Sequence, residues 1–215
     1  MMQGLIVDWG GVLTMPIHTA IGGWLTATGV DRDHYGAVLQ GWVDPLPGEL
    51  SPIHQLERGE IALEDFEHLL SSALSREGST VEAQGLVHTM FADLAIYEDS
   101  MTSLVTRAHA AGVRTALLSN SWGLDYDRSD WLDMFDVVVI SGEVGMRKPE
   151  RQIFELTLGR LGLPAAQCVF VDDMAHNVAA AGQAGLTGIV HRTFEETAGE
   201  LEALFPGAGW IHQRR

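Results

Sequence analysis

The chain has 215 residues, 46% apolar and 20% charged, with 29 acids against 13 bases and a formal net charge of −16. This is a folded composition, long enough for a substantial core in one or two domains. The acidic balance argues against nucleic acid or an anionic membrane as partner, no apolar run approaches the roughly 20 residues of a membrane helix, and no basic stretch marks a signal peptide ahead of Leu5-Ile6-Val7.

In chain order, Gly4 to Asp8 reads as a short buried strand that ends in an acid. Residues 15–95 show no strand pattern. Helical periodicity runs there over Ile17–Thr28, Arg32–Trp42, Leu63–Leu74 and Thr80–Phe91, punctuated by Pro45-Leu46-Pro47-Gly48 and Ser51-Pro52. A helix over Ser100–Ala111 leads into a second strand, Val113–Ser119. A helix over Leu124–Met134 precedes a third strand, Val137–Ser141. A helix over Glu150–Leu161 precedes a fourth, Cys168–Asp172. Then follow a helix over His176–Ala184, a fifth strand over Leu186–Val190 and a helix over Phe194–Leu204. Residues 206–215 read as a loose terminus.

Short apolar strands alternating with helices predict an α/β protein, a three-layer Rossmann-like parallel sheet with helices on both faces. The strand-free stretch predicts an all-helical insertion over 15–95 into a core of 1–14 and 96–215. Cys168, the one cysteine, lies in an apolar strand pattern and reads as a small core residue. A lone cysteine excludes an internal disulfide framework and a cysteine-based zinc cluster, and suits a reducing, cytoplasmic home. No His-Glu-x-x-His, Gly-x-Ser-x-Gly or P-loop pattern occurs.

Four segments at strand exits carry the candidate chemistry, where ligands of open parallel sheets sit. Asp8-Trp9-Gly10-Gly11 puts a carboxylate before two glycines. Ser119-Asn120-Ser121 brings a hydroxyl and an amide. Gly145-Met146-Arg147-Lys148-Pro149-Glu150 holds Lys148, the only lysine among 13 bases. Asp172-Asp173 pairs two carboxylates, with Asn177 on the helix after them. Carboxylates brought that close repel one another unless a cation sits among them, and an all-oxygen set suits Mg²⁺. One carboxylate could then attack phosphorus while Lys148 and Ser119 hold the phosphoryl oxygens. Each segment also has a plain structural reading: Asp172-Asp173 as a helix cap, Ser119-Asn120-Ser121 as a turn. Trp24 and Trp42 read as packing residues of the helical block, with sugar stacking as the alternative.

The four segments in this order, with a helical block after the first, resemble the haloacid dehalogenase superfamily with a C1-type cap, subfamily IA. His54–Ile61, Leu118–Asn120, Gly145–Glu150 and Val169–Asp173 look closest to its sugar-phosphate phosphatases, the α-D-glucose-1-phosphate phosphatases among them. The resemblance implies Asp8 as nucleophile, forming an aspartyl-phosphate. It implies Ser119, Asn120 and Lys148 as phosphate-binding residues. It implies a Mg²⁺ ion held by Asp8, the Gly10 carbonyl and Asp173, with Asp172 in support. The substrate implied is a small phosphorylated metabolite, a sugar phosphate by that likeness; no oligomeric state follows.

One position departs from the pattern. Most such phosphatases carry an acid–base Asp two residues after the nucleophile, and here that residue is Gly10. A positioned acid is commonly worth about 10²–10⁴ in rate. A good leaving group, another proton donor such as His18, or loss of efficient turnover each accounts for the glycine. A non-catalytic binding protein and a metal-independent 2-haloacid dehalogenase are the rival functions.

Overall fold

The computed structural model of the chain describes residues 1–43, 50–92 and 98–211. Five parallel strands form one sheet in the order β3-β2-β1-β4-β5. They are β1 (Gly4–Val7), β2 (Arg114–Ser119), β3 (Val137–Ile140), β4 (Cys168–Asp172) and β5 (Thr187–Val190). The sequence-based α/β expectation is therefore met. β1 lies at the centre, with Val7 level with Leu117 of β2 and Val171 of β4. All three site-bearing strands thus end side by side.

Alternation along the strands builds two cores. Leu5, Val7, Val169 and Val171 pack on one face with α6 (Asp99–Ala110) and α10 (Phe194–Leu204). Ile6, Cys168 and Phe170 pack on the other with α8 (Arg151–Leu161) and α9 (Ala175–Gln183). Cys168 is fully buried, as its strand pattern predicts, and burial pushes its thiol up to about 11. A Cβ at Gly4 would meet its sulfur at 2.7 Å and Leu163 Cδ1 at 2.9 Å, so any larger residue there must displace packed side chains.

Between β1 and α6 the described residues form five helices: α1 (Ile17–Thr28), α2 (Arg32–Val43), α3 (Pro52–Glu57), α4 (Leu63–Glu77) and α5 (Leu86–Met90). They enclose a third core around Trp24, Phe66, Leu70 and Leu74. The Pro45–Gly48 punctuation and residues 93–95 lie outside the described residues.

Five sequence expectations change. The helix expected over Leu124–Met134 is an irregular segment with one 3-10 turn at Trp131–Asp133. Asp127 binds the Ser129 N–H at 3.0 Å, and Tyr126 and Trp131 turn inward onto Trp9. Local carboxylate–backbone bonds and an aromatic cluster override helical periodicity here. The helix expected over Thr80–Phe91 is confined to α5, because Gly85 starts it with φ +73°. Ser51-Pro52 is not simple punctuation. Ser51 accepts the His54 N–H at 3.1 Å and caps α3, with Pro52 in its first turn. A short α7 (Ser141–Val144) follows β3 directly, where no helix is read from sequence. The expected loose terminus is packed as far as Ile211. That side chain is fully buried, and Arg107 Nε donates to the Trp210 carbonyl at 2.8 Å. Residues 212–215 lie outside the described residues.

Candidate active site

The strand ends bring Asp8, Ser119, Lys148, Asp172 and Asp173 around one cavity floor. Lys148 is 1% exposed, and its Nζ lies 2.7 Å from both Asp8 Oδ1 and Asp172 Oδ2. An ammonium this buried is stable only because both carboxylates meet it. Burial works against the charged form, yet Asp172 and Asp8 together hold Lys148 above the usual lysine value.

Asp8 Oδ1 also accepts the Trp9 N–H at 2.7 Å. Burial raises the Asp8 pKa well above its ordinary value; Lys148 opposes this, and the charges of Asp172 and Asp173 add to it. Asp173 is less enclosed, and burial, then Asp172, push it up to about 6. Carboxylate oxygens of Asp8, Asp172 and Asp173 lie within 4.8 Å of one another. The floor therefore holds more negative charge than Lys148 balances.

The roles of the two acids in the Asp172-Asp173 pair divide by geometry. Asp172 is fully buried and saturated: Lys148, both bonds of the Asn177 amide at 3.1 and 3.2 Å, and the Met174 N–H at 2.8 Å surround its oxygens. Asp173 is half-buried and lines the cavity. Gly11 makes room for it. With φ +78°, this glycine lies so close that a Cβ there would meet Asp173 Oδ2 at 2.4 Å.

Three features fit a hard cation. The carboxylates supply oxygen donors. The Gly10 carbonyl takes no hydrogen bond among the described residues, whereas the Trp9 carbonyl beside it takes three backbone N–H groups. Asn177 Oδ1 is buried without a hydrogen-bond partner. These groups match the coordination taste of Mg²⁺.

Ser119 Oγ sits 3.1 Å from the Tyr126 hydroxyl. The sequence reading passes over Tyr126 because it falls in the stretch assigned to a helix. Asn120 lines the cavity, but its amide is taken up by Lys148: Nδ2 donates to the Lys148 carbonyl at 3.1 Å, and Oδ1 accepts the Lys148 N–H at 2.9 Å. It fixes the backbone from which the lysine springs. His18 is exposed on α1 at the cavity rim, near enough to Asp173 to favour its ionised form.

The helical block closes the other side. Glu57 pairs with Arg147, and Arg58 with Glu150, so α3 is tied to the segment that carries Lys148. Trp24 packs inside the block against Tyr35, and Trp42 against Phe66. Neither lines the cavity; the tryptophans that do are Trp9 and Trp122, from the segments after β1 and β2. No helix of the described residues is long and apolar enough to cross a membrane.

Comparison with known proteins agrees with this arrangement. A family model described as a haloacid dehalogenase-like hydrolase matches residues 2–185. The chain is 30% identical over 207 residues to acyl-CoA dehydrogenase family member 10 of Mus musculus, an alignment that takes in 94% of the chain but 19% of that protein. The chain thus spans about a fifth of that relative's length. It is 33% identical over 141 residues to sesquiterpene phosphatase astK of Aspergillus oryzae, covering 63% of the chain and 69% of the relative. A HAD family enzyme from Bacteroides thetaiotaomicron, solved with magnesium and inorganic phosphate, shares the fold. Its TM-score is 0.66 at 19% identity, with 89% of this chain and 95% of that one covered.

Proposed function

The chain belongs to the haloacid dehalogenase-like hydrolases, and from that premise we propose that it is a Mg²⁺-dependent phosphomonoesterase of a small phosphorylated metabolite. The observation that carries this reading is the buried Lys148 ammonium, held at 2.7 Å between Asp8 and Asp172 with Asp173 beside them. A cationic anchor and a surplus of carboxylates at one cavity floor suit phosphoryl transfer better than halide displacement. A relative named as a phosphatase supports the same choice.

In this reading Asp8 is the nucleophile. Its Oδ1 is fixed by Lys148 and the Trp9 N–H, while Oδ2 takes no hydrogen bond among the described residues. A new O–P bond forms from the Asp8 carboxylate as the ester P–O bond breaks, and the departing oxygen takes its proton from water as the alcohol leaves. Water then cleaves the aspartyl-phosphate and restores the carboxylate. Lys148 and Ser119 steady the phosphoryl oxygens, with Tyr126 orienting the Ser119 hydroxyl. Asn120 positions Lys148. Asp8, the Gly10 carbonyl and Asp173 would hold Mg²⁺, Asp172 and Asn177 supporting it. A bound ion would supply charge neutralisation at the phosphate.

Gly10 leaves no acid beside the departing oxygen. A Cβ at Gly10 would meet Ile17 Cδ1 at 3.0 Å, so hydrocarbon from α1 occupies that room. The motif likeness implies a sugar phosphate, and a sugar 1-phosphate would suit the gap through its easier leaving group.

The test is phosphate release from a panel of phosphate monoesters, with and without Mg²⁺, for wild type and Asp8→Asn. Release that needs Mg²⁺ and falls by about a thousandfold or more in the variant is the expected result. Halide release from 2-haloacids in chelator would point to a dehalogenase. Neither activity, with the protein folded, would point to a binding protein.

A further inference from the structure

The cavity above the floor has a volume of about 740 Å³ and is shared between the strand ends and the helical block. Its two sides differ in kind. Most polar side chains of the floor are engaged with one another: Lys148 with two aspartates, Ser119 with Tyr126, Asn120 with the Lys148 backbone; the acceptors left open, Asp173 among them, are those assigned to phosphate and metal. The opposite wall is made by Ile17, Ile21, Leu39, Ile53, Phe91 and Trp122. Among these only Trp122 carries a hydrogen-bonding group. Val43 and Met174, 57% and 47% exposed, continue the apolar surface at the same cavity. Large apolar side chains left open to a cavity mark a place where an apolar ligand is covered. A sugar would leave its hydroxyls facing hydrocarbon, at the cost of burying unpaired polar groups.

Resting on the phosphatase reading, we infer that the substrate is the phosphate monoester of an apolar alcohol. Its phosphate lies on the Asp8–Lys148 floor and its hydrocarbon part against the wall of α1, α2, α3 and Trp122. Beside Glu57, which is paired with Arg147, the helical block brings His18, His54 and His88 to the cavity. His18 and His88 are exposed, and burial, then Arg147, keep His54 towards its neutral form. The charged side chains that also line the cavity, Arg147, Asp125 and Asp127, belong to the segments after β2 and β3 and not to the apolar wall.

The experiment uses butyl, hexyl, octyl and decyl phosphates below micelle-forming concentrations. Their leaving alcohols are equally acidic, so only burial changes along the series. kcat/KM is expected to rise about fourfold per added methylene until the cavity is filled. The matching alkylphosphonates, which cannot be hydrolysed, should bind more tightly by the same ratio in calorimetry. Ile21→Asn with Leu39→Asn should flatten both slopes. A flat series, or sugar phosphates preferred over decyl phosphate while phosphonate binding ignores length, overturns the inference and leaves the phosphatase reading standing. The opposite split is also readable. If no ester of any kind yields phosphate but phosphonates tighten with length, the phosphatase reading falls and the apolar site survives it.

Discussion

At the carboxyl edge of the sheet, Asp8, Lys148 and Asp172 are buried and tied together by two contacts of 2.7 Å. Across the cavity Ile17, Ile21 and Leu39 are only half-buried and have no polar group to hold them. The floor is fixed by charge and hydrogen bonds; the wall side chains are held by packing, with ion pairs only at the α3 edge. Preorganised dipoles and charges suit a reaction that develops charge at a known place. A hydrocarbon wall suits selection by size and polarity. Chemistry and specificity are thus assigned to different parts of the fold, and each variant below acts on one of them.

The largest effect is expected at Lys148. Lys148→Met removes the one cation from among Asp8, Asp172 and Asp173. Breaking a buried pair strands its partners, at a cost of about 3–5 kcal/mol. Urea unfolding of the metal-free protein should show this loss, and saturating Mg²⁺ should recover part of it. A change under about 1 kcal/mol would mean that charge pairing does not organise the floor.

Gly10→Asp sharpens the boundary between floor and wall. The new carboxylate must push Ile17 Cδ1 aside, which is the end of a half-buried side chain and can yield. The rate on simple alkyl phosphates should rise by about a hundredfold, the low end of what a positioned acid supplies. Sugar 1-phosphates should change little, since their leaving oxygen needs less help. Equal gains on both would show that leaving-group acidity does not explain the glycine. Adding Ile17→Ala should increase the gain by clearing the space.

The acid pair makes a prediction in pH. Burial first, and then Asp172, raise Asp173 from 3.8 to about 6. A folded carboxyl that holds its proton more tightly than the unfolded one loses the protein stability as pH rises. Between pH 4 and 6, then, the metal-free protein should become less stable with rising pH. A bound cation favours the carboxylate and opposes this. At one fixed Mg²⁺ concentration, a hundredfold over the Kd at pH 7.5, the rise in Tm should be about 5 °C or more at pH 7.5 and much smaller at pH 5. Equal gains at both values would place the ion away from Asp173.

The same division explains what was legible in the sequence. Strand ends are marked by short apolar runs that stop at Asp8, Ser119 and Asp172, and the parallel sheet must bring such ends to one edge. Residue type and order were enough to find the floor. The wall has no such mark. Ile21 and Leu39 repeat at helical spacing exactly as core residues do, and only the packing of α1 on its neighbours leaves them facing a cavity. Trp24 and Trp42 show the reverse: both tryptophans are spent inside the block, while Trp122 reaches the cavity from a segment after β2. Tyr126 was hidden for a further reason. Its neighbours repeat at helical intervals, but Asp127 and Ser129 bond locally and Trp9 draws the ring inward.

The smallest effect is expected where floor and wall are joined. α3 is tied to the Lys148 segment by two ion pairs of unlike burial. Arg147 and Glu57 are 13% and 9% exposed, Arg58 and Glu150 both 27%. Water screens the second pair more, so Arg58→Gln should cost no more than about 1 kcal/mol in urea unfolding. Glu57→Gln should cost more, because it leaves the Arg147 charge enclosed with only a neutral partner. α3 carries both Ile53 of the wall and Glu57 of the latch. Loosening the weaker pair should therefore raise KM for the longer alkyl phosphates and leave kcat close to wild type. A fall in kcat with KM unchanged would show instead that the latch holds Lys148 in place rather than the wall.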